Sequence, residues 1–137
     1  MGKEKGKSQK NENTKKQVSS NEELGKAVNE NTDTIEMSKE SEAGKTTYKI
    51  KATGKVAWGV CFAALVIAIA LILAGPASGG ISAVAGSTVA APAVGVLGLG
   101  TVISAIKVAV AGGGANILNK LRKYKMEELN GKIILRK

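Results

Sequence analysis

The chain has 137 residues, with 20 Lys plus Arg against 11 Asp plus Glu, no His, one Cys and four aromatic rings, which allows one small domain at most. Without His, and with Cys61 alone in the most apolar stretch, no Ser/His/Asp or Cys/His nucleophile and no His- or Cys-ligated zinc site can be built. An enzyme is therefore the least favoured class, and neither cofactor nor metal is expected.

Charge is sharply partitioned. Residues 1–55 hold 12 Lys and 9 acids, residues 56–115 hold only Lys107, and residues 116–137 hold 7 basic and 2 acidic side chains. A polar arm, an apolar block and a basic tail make the profile of a membrane protein.

Residues 1–23 contain Val18 as their only aliphatic residue besides Met1, too little apolar surface to offset the entropy of ordering, so disorder is expected there. Gly6 stands where a myristoylation pattern requires Ser or Thr, and lipidation is not expected. Ser20-Asn21-Glu22-Glu23 fits a capping box, and Leu24, Ala27, Val28, Asn31 and Ile35 follow at helical spacing. A short helix in a weakly ordered arm (residues 1–44) is expected, either docking a cytosolic protein partner or self-associating, with a mostly disordered linker as the competing reading. Ala43-Gly44-Lys45-Thr46-Thr47 looks like the end of a phosphate-binding loop. Lys39 replaces its first glycine, however, and residues 34–38 do not read as a buried strand.

Residues 56–74 run 19 positions without a charge. As a helix they span ~28 Å, close to the hydrocarbon thickness of a bilayer, and predict a transmembrane helix. Lys49, Lys51, Lys55 and Trp58 are placed for the headgroup level. The 55 hydrophilic residues in front argue against a cleaved signal peptide.

Gly75 and Pro76 end that helix, residues 75–92 read as a turn and a short small-residue helix, and residues 93–115 are long enough to cross again. A second register, residues 81–106 kinked at Pro92 with Lys107 at the interface, competes with the preferred one. Both flanks of the block are basic, so both termini are expected in the cytoplasm, at a bacterial inner membrane. The expected fold is an all-α membrane protein: a helical hairpin of two transmembrane helices with a disordered N-terminal arm and a basic amphipathic C-terminal tail.

Small residues recur at four-residue steps, Gly79, Ala83, Ser87, Ala91 and Gly95, then Ala105, Ala109 and Gly113, with Gly98 between the two runs. Such a line lets helix backbones approach closely. The pattern resembles the glycine-zipper segments of small bacterial membrane proteins, some of which oligomerise into pores. The resemblance covers roughly residues 79–113, breaks at Pro92, and implies a homo-oligomer. Alternatively the line only closes the hairpin against Ala64 and Ala68. Lys107 is the candidate pore or cavity residue, because an intramembrane Lys normally faces a partner, cavity or pore; the competing reading is that it snorkels to the headgroups.

In residues 116–125, Lys120, Arg122, Lys123 and Lys125 flank an apolar side built from Ile117, Leu118, Leu121 and Tyr124. The partner this implies is a bilayer with anionic headgroups. Nucleic acid is not expected as a partner, because the segment has one aromatic ring and no reading motif. Asn130-Gly131 between two apolar runs is a hairpin-turn signal. The function expected from all this is a small oligomeric membrane protein that forms or gates a pore, as a toxin, holin-like protein or effector. A non-catalytic anchor, adaptor or accessory subunit is the alternative.

Overall fold

Polar and apolar residues alternate over Thr34-Ile35-Glu36-Met37-Ser38, the period of a strand with one buried face, and Lys132-Ile133-Ile134-Leu135-Arg136 supplies a second apolar run. The computed structural model, which describes residues 15–75 and 80–137, pairs these two segments antiparallel at the centre of a four-stranded sheet. The strand order is β1 (Lys15–Gln17), β2 (Thr34–Ser38), β4 (Lys132–Arg136), β3 (Lys125–Leu129), with β1 parallel to β2 and β3 antiparallel to β4. Ile35 lies opposite Leu135 and Met37 opposite Ile133, and all four are buried against the helices. The other face is polar, with Ile134 covered between the ion pairs Lys15–Glu36 and Arg136–Glu127. Asn130 and Gly131 join β3 to β4 at φ of 51° and 78°, the left-handed pair that a two-residue hairpin turn demands.

Between β1 and β2 runs α1 (Asn21–Asn29). Its N-cap Ser20 accepts from the Glu23 amide, and the Glu23 carboxylate accepts from the Ser19 and Ser20 amides. Those bonds hold the Glu23 carboxyl below the usual carboxylate range. After β2 comes α2 (Glu42–Ala52), and Gly54 separates it from α3 (Lys55–Ala74). The rest of the apolar block is broken: α4 (Gly80–Ala85), a 3₁₀ turn (Thr88–Ala90), α5 (Ala91–Leu97) and α6 (Leu99–Gly112). A last helix, α7 (Asn116–Lys123), leads into β3.

α6 is the axis of the molecule. Val102, Ala105, Ile106, Val108, Ala109 and Gly112 are all buried along it, and α1 crosses its C-terminal half. The crossing is very close: a methyl group at Gly25 of α1 would lie 2.1 Å from the Val108 carbonyl oxygen, and one at Gly112 would lie 2.8 Å from the Gly25 carbonyl oxygen. The other half of α6 meets α3, α4 and α5, which form an apolar knot beneath the sheet-bearing head.

The chain is therefore not an all-α helical hairpin. It has seven helices and a mixed four-stranded sheet among the described residues, and only one helix is long and apolar enough to cross a membrane. The second crossing fails at Gly98, where φ is +90° and the helical path bends by 110° between Thr88–Leu97 and Leu99–Gly112. The expected disordered arm is ordered from Lys15 onward as β1, α1, β2 and α2, because its few apolar residues, Val18, Leu24, Val28 and Ile35, are completed by apolar residues from the far end of the chain. The expected basic tail is α7 and the β3–β4 hairpin of the same sheet. The expectation of disorder for residues 1–14, like the packing role of Gly79, lies outside the described residues.

Gly25→Ala should lower unfolding free energy by about 2 to 3 kcal/mol, since a backbone carbonyl cannot move aside as a side chain would. Gly59→Ala on α3, where an added methyl meets nothing within 4 Å, should be neutral or stabilising by up to about 1 kcal/mol. Urea unfolding followed by Trp58 fluorescence measures both, and equal stability of Gly25→Ala and wild type would contradict the close crossing.

Candidate functional site

α3 begins in the head and runs 20 residues with no charge after Lys55. Its most apolar window has a mean hydropathy of 2.8, yet only 33% of that window is buried. A core helix of a soluble domain is apolar because it is covered. Here Cys61, Ala64, Leu65, Ala68 and Ile69 face the knot, while Val56, Val60, Ile67 and Leu71 form an exposed line at helical spacing. Val56 is 86% exposed and Ile67 55%. Val96 and Leu99, on either side of the Gly98 bend, add exposed apolar surface. An uncovered apolar surface of this kind marks a membrane or protein contact.

The start of α3 is fixed by a polar cluster in which two helix ends cap one another. Arg122 of α7 donates through Nη1 to the carbonyls of Ile50 (2.7 Å) and Thr53 (3.0 Å) at the end of α2. Lys51 of α2 donates to the carbonyls of Arg122 (2.7 Å) and Tyr124 at the end of α7. Each cation meets the orphan carbonyls and the negative dipole end of the other helix. Burial, with the neighbouring Arg122 charge, holds the Lys51 ammonium below its ordinary range. The Arg122 guanidinium also lies 4.8 Å from the centroid of the Trp58 ring, and the Trp58 indole N–H donates to Asn119 Oδ1 at 2.9 Å. Tyr124 ties the cluster to the head by donating its hydroxyl to the Thr32 carbonyl at 2.5 Å.

A cleft of 410 Å³ opens between α2 and the first turns of α6, lined by Lys45, Tyr48, Lys49, Gly100, Thr101 and Ser104 with Lys39, Glu42 and Thr46. The Gly44-Lys45-Thr46 segment lies at its side. Residues 34–38 are a strand after all, β2, and they feed this helix. Even so, only three residues separate β2 from α2, too few for a phosphate-wrapping loop. The first amides of α2 are already used, Ala43 by the Ser19 carbonyl at 2.9 Å and Gly44 by Ser41 Oγ at 3.0 Å. Among the described residues no group of His, Cys, Asp or Glu is arranged to hold a metal.

The residues singled out for headgroup contact divide in two. Lys51, Trp58 and Arg122 are engaged inside the junction, whereas Lys49, Lys55, Lys123 and Lys125 are exposed and Lys120 half-buried. Of the small-residue line, Ala105 and Ala109 are buried in α6, but Ala83, Ala91, Gly95, Gly98 and Gly113 are exposed and Ser87 is half-buried. A close helix-to-helix backbone approach is instead made at Gly25 and Gly112. Lys107 is half-buried on α6 between the buried Ile106 and Val108 and makes no ion pair or hydrogen bond among the described residues. Asn119, Thr101 and Ser104 carried no signal in the sequence: each is a polar residue whose neighbour comes from a distant helix.

A sequence family described as uncharacterised protein PM1101 matches residues 17–137. The chain belongs to that family. The match runs from the last residue of β1 to the end of the chain, so the family includes the sheet-bearing head and the apolar knot together. No curated protein and no solved structure matches the chain.

Burial, with the Asp33 charge, pushes the Tyr124 phenol up to about 12. An unfolded tyrosine ionises near about 10, so the folded state holds this proton more tightly. The stability this provides is complete below about pH 10 and is lost as pH rises through about 12. Urea midpoints should therefore fall across that interval in wild type and much less in Tyr124→Phe. Parallel curves would mean that the phenol is not protected.

Proposed function

We propose that the protein is a non-catalytic membrane anchor or adaptor: the apolar knot, α3 with the broken helices packed on it, enters a bilayer from one side, and the α/β head is held at the surface. The observation that carries this reading is the length and exposure of α3, 20 residues of high hydropathy with only 33% of their apolar window buried. The sheet supports it as well. Because β1 and β2 share one sheet with β3 and β4, the segments before and after the knot lie on the same side of any bilayer. The breaks at residues 86–87 and at Gly98 fit a segment that packs back on α3 instead of crossing as a straight helix, with its freed backbone groups shielded by protein.

The pore reading has a narrower footing. Its remaining support is the exposed small-residue line Ala83, Ala91 and Gly95, which offers a close-packing surface to a second copy. Lys107 lends it little, being on α6 beside Val108, where α1 of the head crosses.

Ile67→Lys puts a charge at the middle of the exposed line, where insertion scales set its cost at about 2.5 to 3.5 kcal/mol. The full chain should move from the membrane to the soluble fraction with its Trp58 fluorescence unchanged. Unchanged membrane retention would refute insertion of α3. Vesicles holding a self-quenched dye separate the two functions: the anchor leaves them sealed, and leakage abolished by Gly95→Leu would favour the pore.

A further inference from the structure

The cleft between α2 and α6 has the makings of a site for an amphiphilic anion. Three lysines line it, and their roles differ. Lys39 is paired with Glu128 at 3.0 Å, whereas Lys45 and Lys49, one helical turn apart on α2, have no ion-pair or hydrogen-bond partner among the described residues. The one carboxylate in the lining, Glu42, is occupied by the Asn21 amide at 3.0 Å, and the Thr46 hydroxyl is occupied by Asn21 Oδ1 at 2.7 Å and the Glu42 carbonyl at 2.9 Å. What remains unengaged among the described residues is two ammonium groups and the Tyr48 hydroxyl from α2, and two hydroxyls, Thr101 and Ser104, from α6. The lining also includes Gly100 in the first turn of α6, whose N-cap Gly98 has no side chain to take up the leading amides. Lys107 stands one turn beyond Ser104 on the same side of α6 and adds positive potential.

The surroundings decide what kind of anion fits. Next to Gly100 along the chain are Leu99 and, across the Gly98 bend, Val96, exposed by 48% and 43%. Neither residue lines the cleft itself, but the chain leads from its Gly100 wall directly onto this exposed apolar surface, for which a small soluble anion has no use and the acyl chains of a lipid do. We infer that the cleft holds the phosphate of an anionic phospholipid, with Lys45 and Lys49 on the phosphate, Thr101 and Ser104 hydrogen-bonding it, and the acyl chains running over Val96 and Leu99 toward the knot. The inference rests on the membrane-anchor reading and adds to it a stoichiometric headgroup site on the head.

The full chain is mixed with vesicles of neutral phosphatidylcholine, or of the same lipid with a minor fraction of phosphatidylglycerol, and the bound protein is recovered by flotation. Binding to neutral vesicles tests the anchor, and its loss would overturn both readings. The expected increment on adding phosphatidylglycerol is about tenfold in partition coefficient, most of it removed in Lys45→Gln/Lys49→Gln. The double variant Lys26→Gln/Lys132→Gln, which removes the same charge from exposed positions outside the cleft, should keep the increment. An equal loss in both double variants, or no increment in wild type while neutral binding persists, would overturn the headgroup site and leave the anchor standing. Thr101→Val should weaken the increment without touching neutral binding, which a purely electrostatic attraction would not do. Millimolar glycerol phosphate should not compete; if it abolishes the increment, the cleft is a site for free phosphate and the assignment to lipid is wrong.

Discussion

Pairing of β2 with β4 joins residues 34–38 to residues 132–136, and everything between them has to leave the sheet and return to it. The loop so closed contains all of the apolar block. Closing a loop of that length has an entropic cost that grows only slowly with length, and the buried contacts of Ile35, Met37, Ile133 and Leu135 offset it. The architecture follows from this constraint. The block cannot trail away as an independent segment; it is a knot suspended from a single sheet, with α6 running through both parts.

The suspension is made rigid where α2 gives way to α3. Helix ends carry carbonyls with no partner inside the helix, and two such ends, of α2 and α7, converge at the head–knot boundary. Lys51 and Arg122 resolve this by exchange, each reaching into the terminus of the other's helix, while Trp58 lies under the guanidinium and is held by Asn119. The direction in which α3 departs is thus set by polar contacts at its root. Its own packing contributes only along the buried side from Cys61 to Ile69.

Local signals in the sequence were readable where the physics is local. Ser20 and Glu23 cap α1 within one turn, Asn130-Gly131 turns a hairpin within two residues, and the uncharged run of α3 is helical by length and hydropathy. The sheet was not readable, because β1 has three residues, β2 five, and the central partner of β2, β4, lies roughly a hundred positions away. Positive charge near an apolar run reads as lipid-facing whatever it touches, so nothing distinguished Lys51 and Arg122, bound to carbonyls, from Lys49 and Lys55, left exposed. The small-residue spacing from Ala83 to Gly95 shows where backbones are able to meet, but nothing in it points to the close crossing at Gly25 and Gly112, on helices whose relation only the folded chain reveals. The cleft was missed for the same reason, its two walls coming from α2 and α6.

The order of elements along the chain has a consequence for biosynthesis. β1, α1 and β2 leave the ribosome first but lack the central partner β4 until the apolar block and α7 have also been made. Folds dominated by such distant pairings form slowly. During translation α3 is therefore exposed beside an unfinished head, and a hydrophobic segment in that state is taken up by whatever apolar phase or chaperone is nearest. The apolar knot therefore meets its surroundings before the sheet is closed, and the head matures around it.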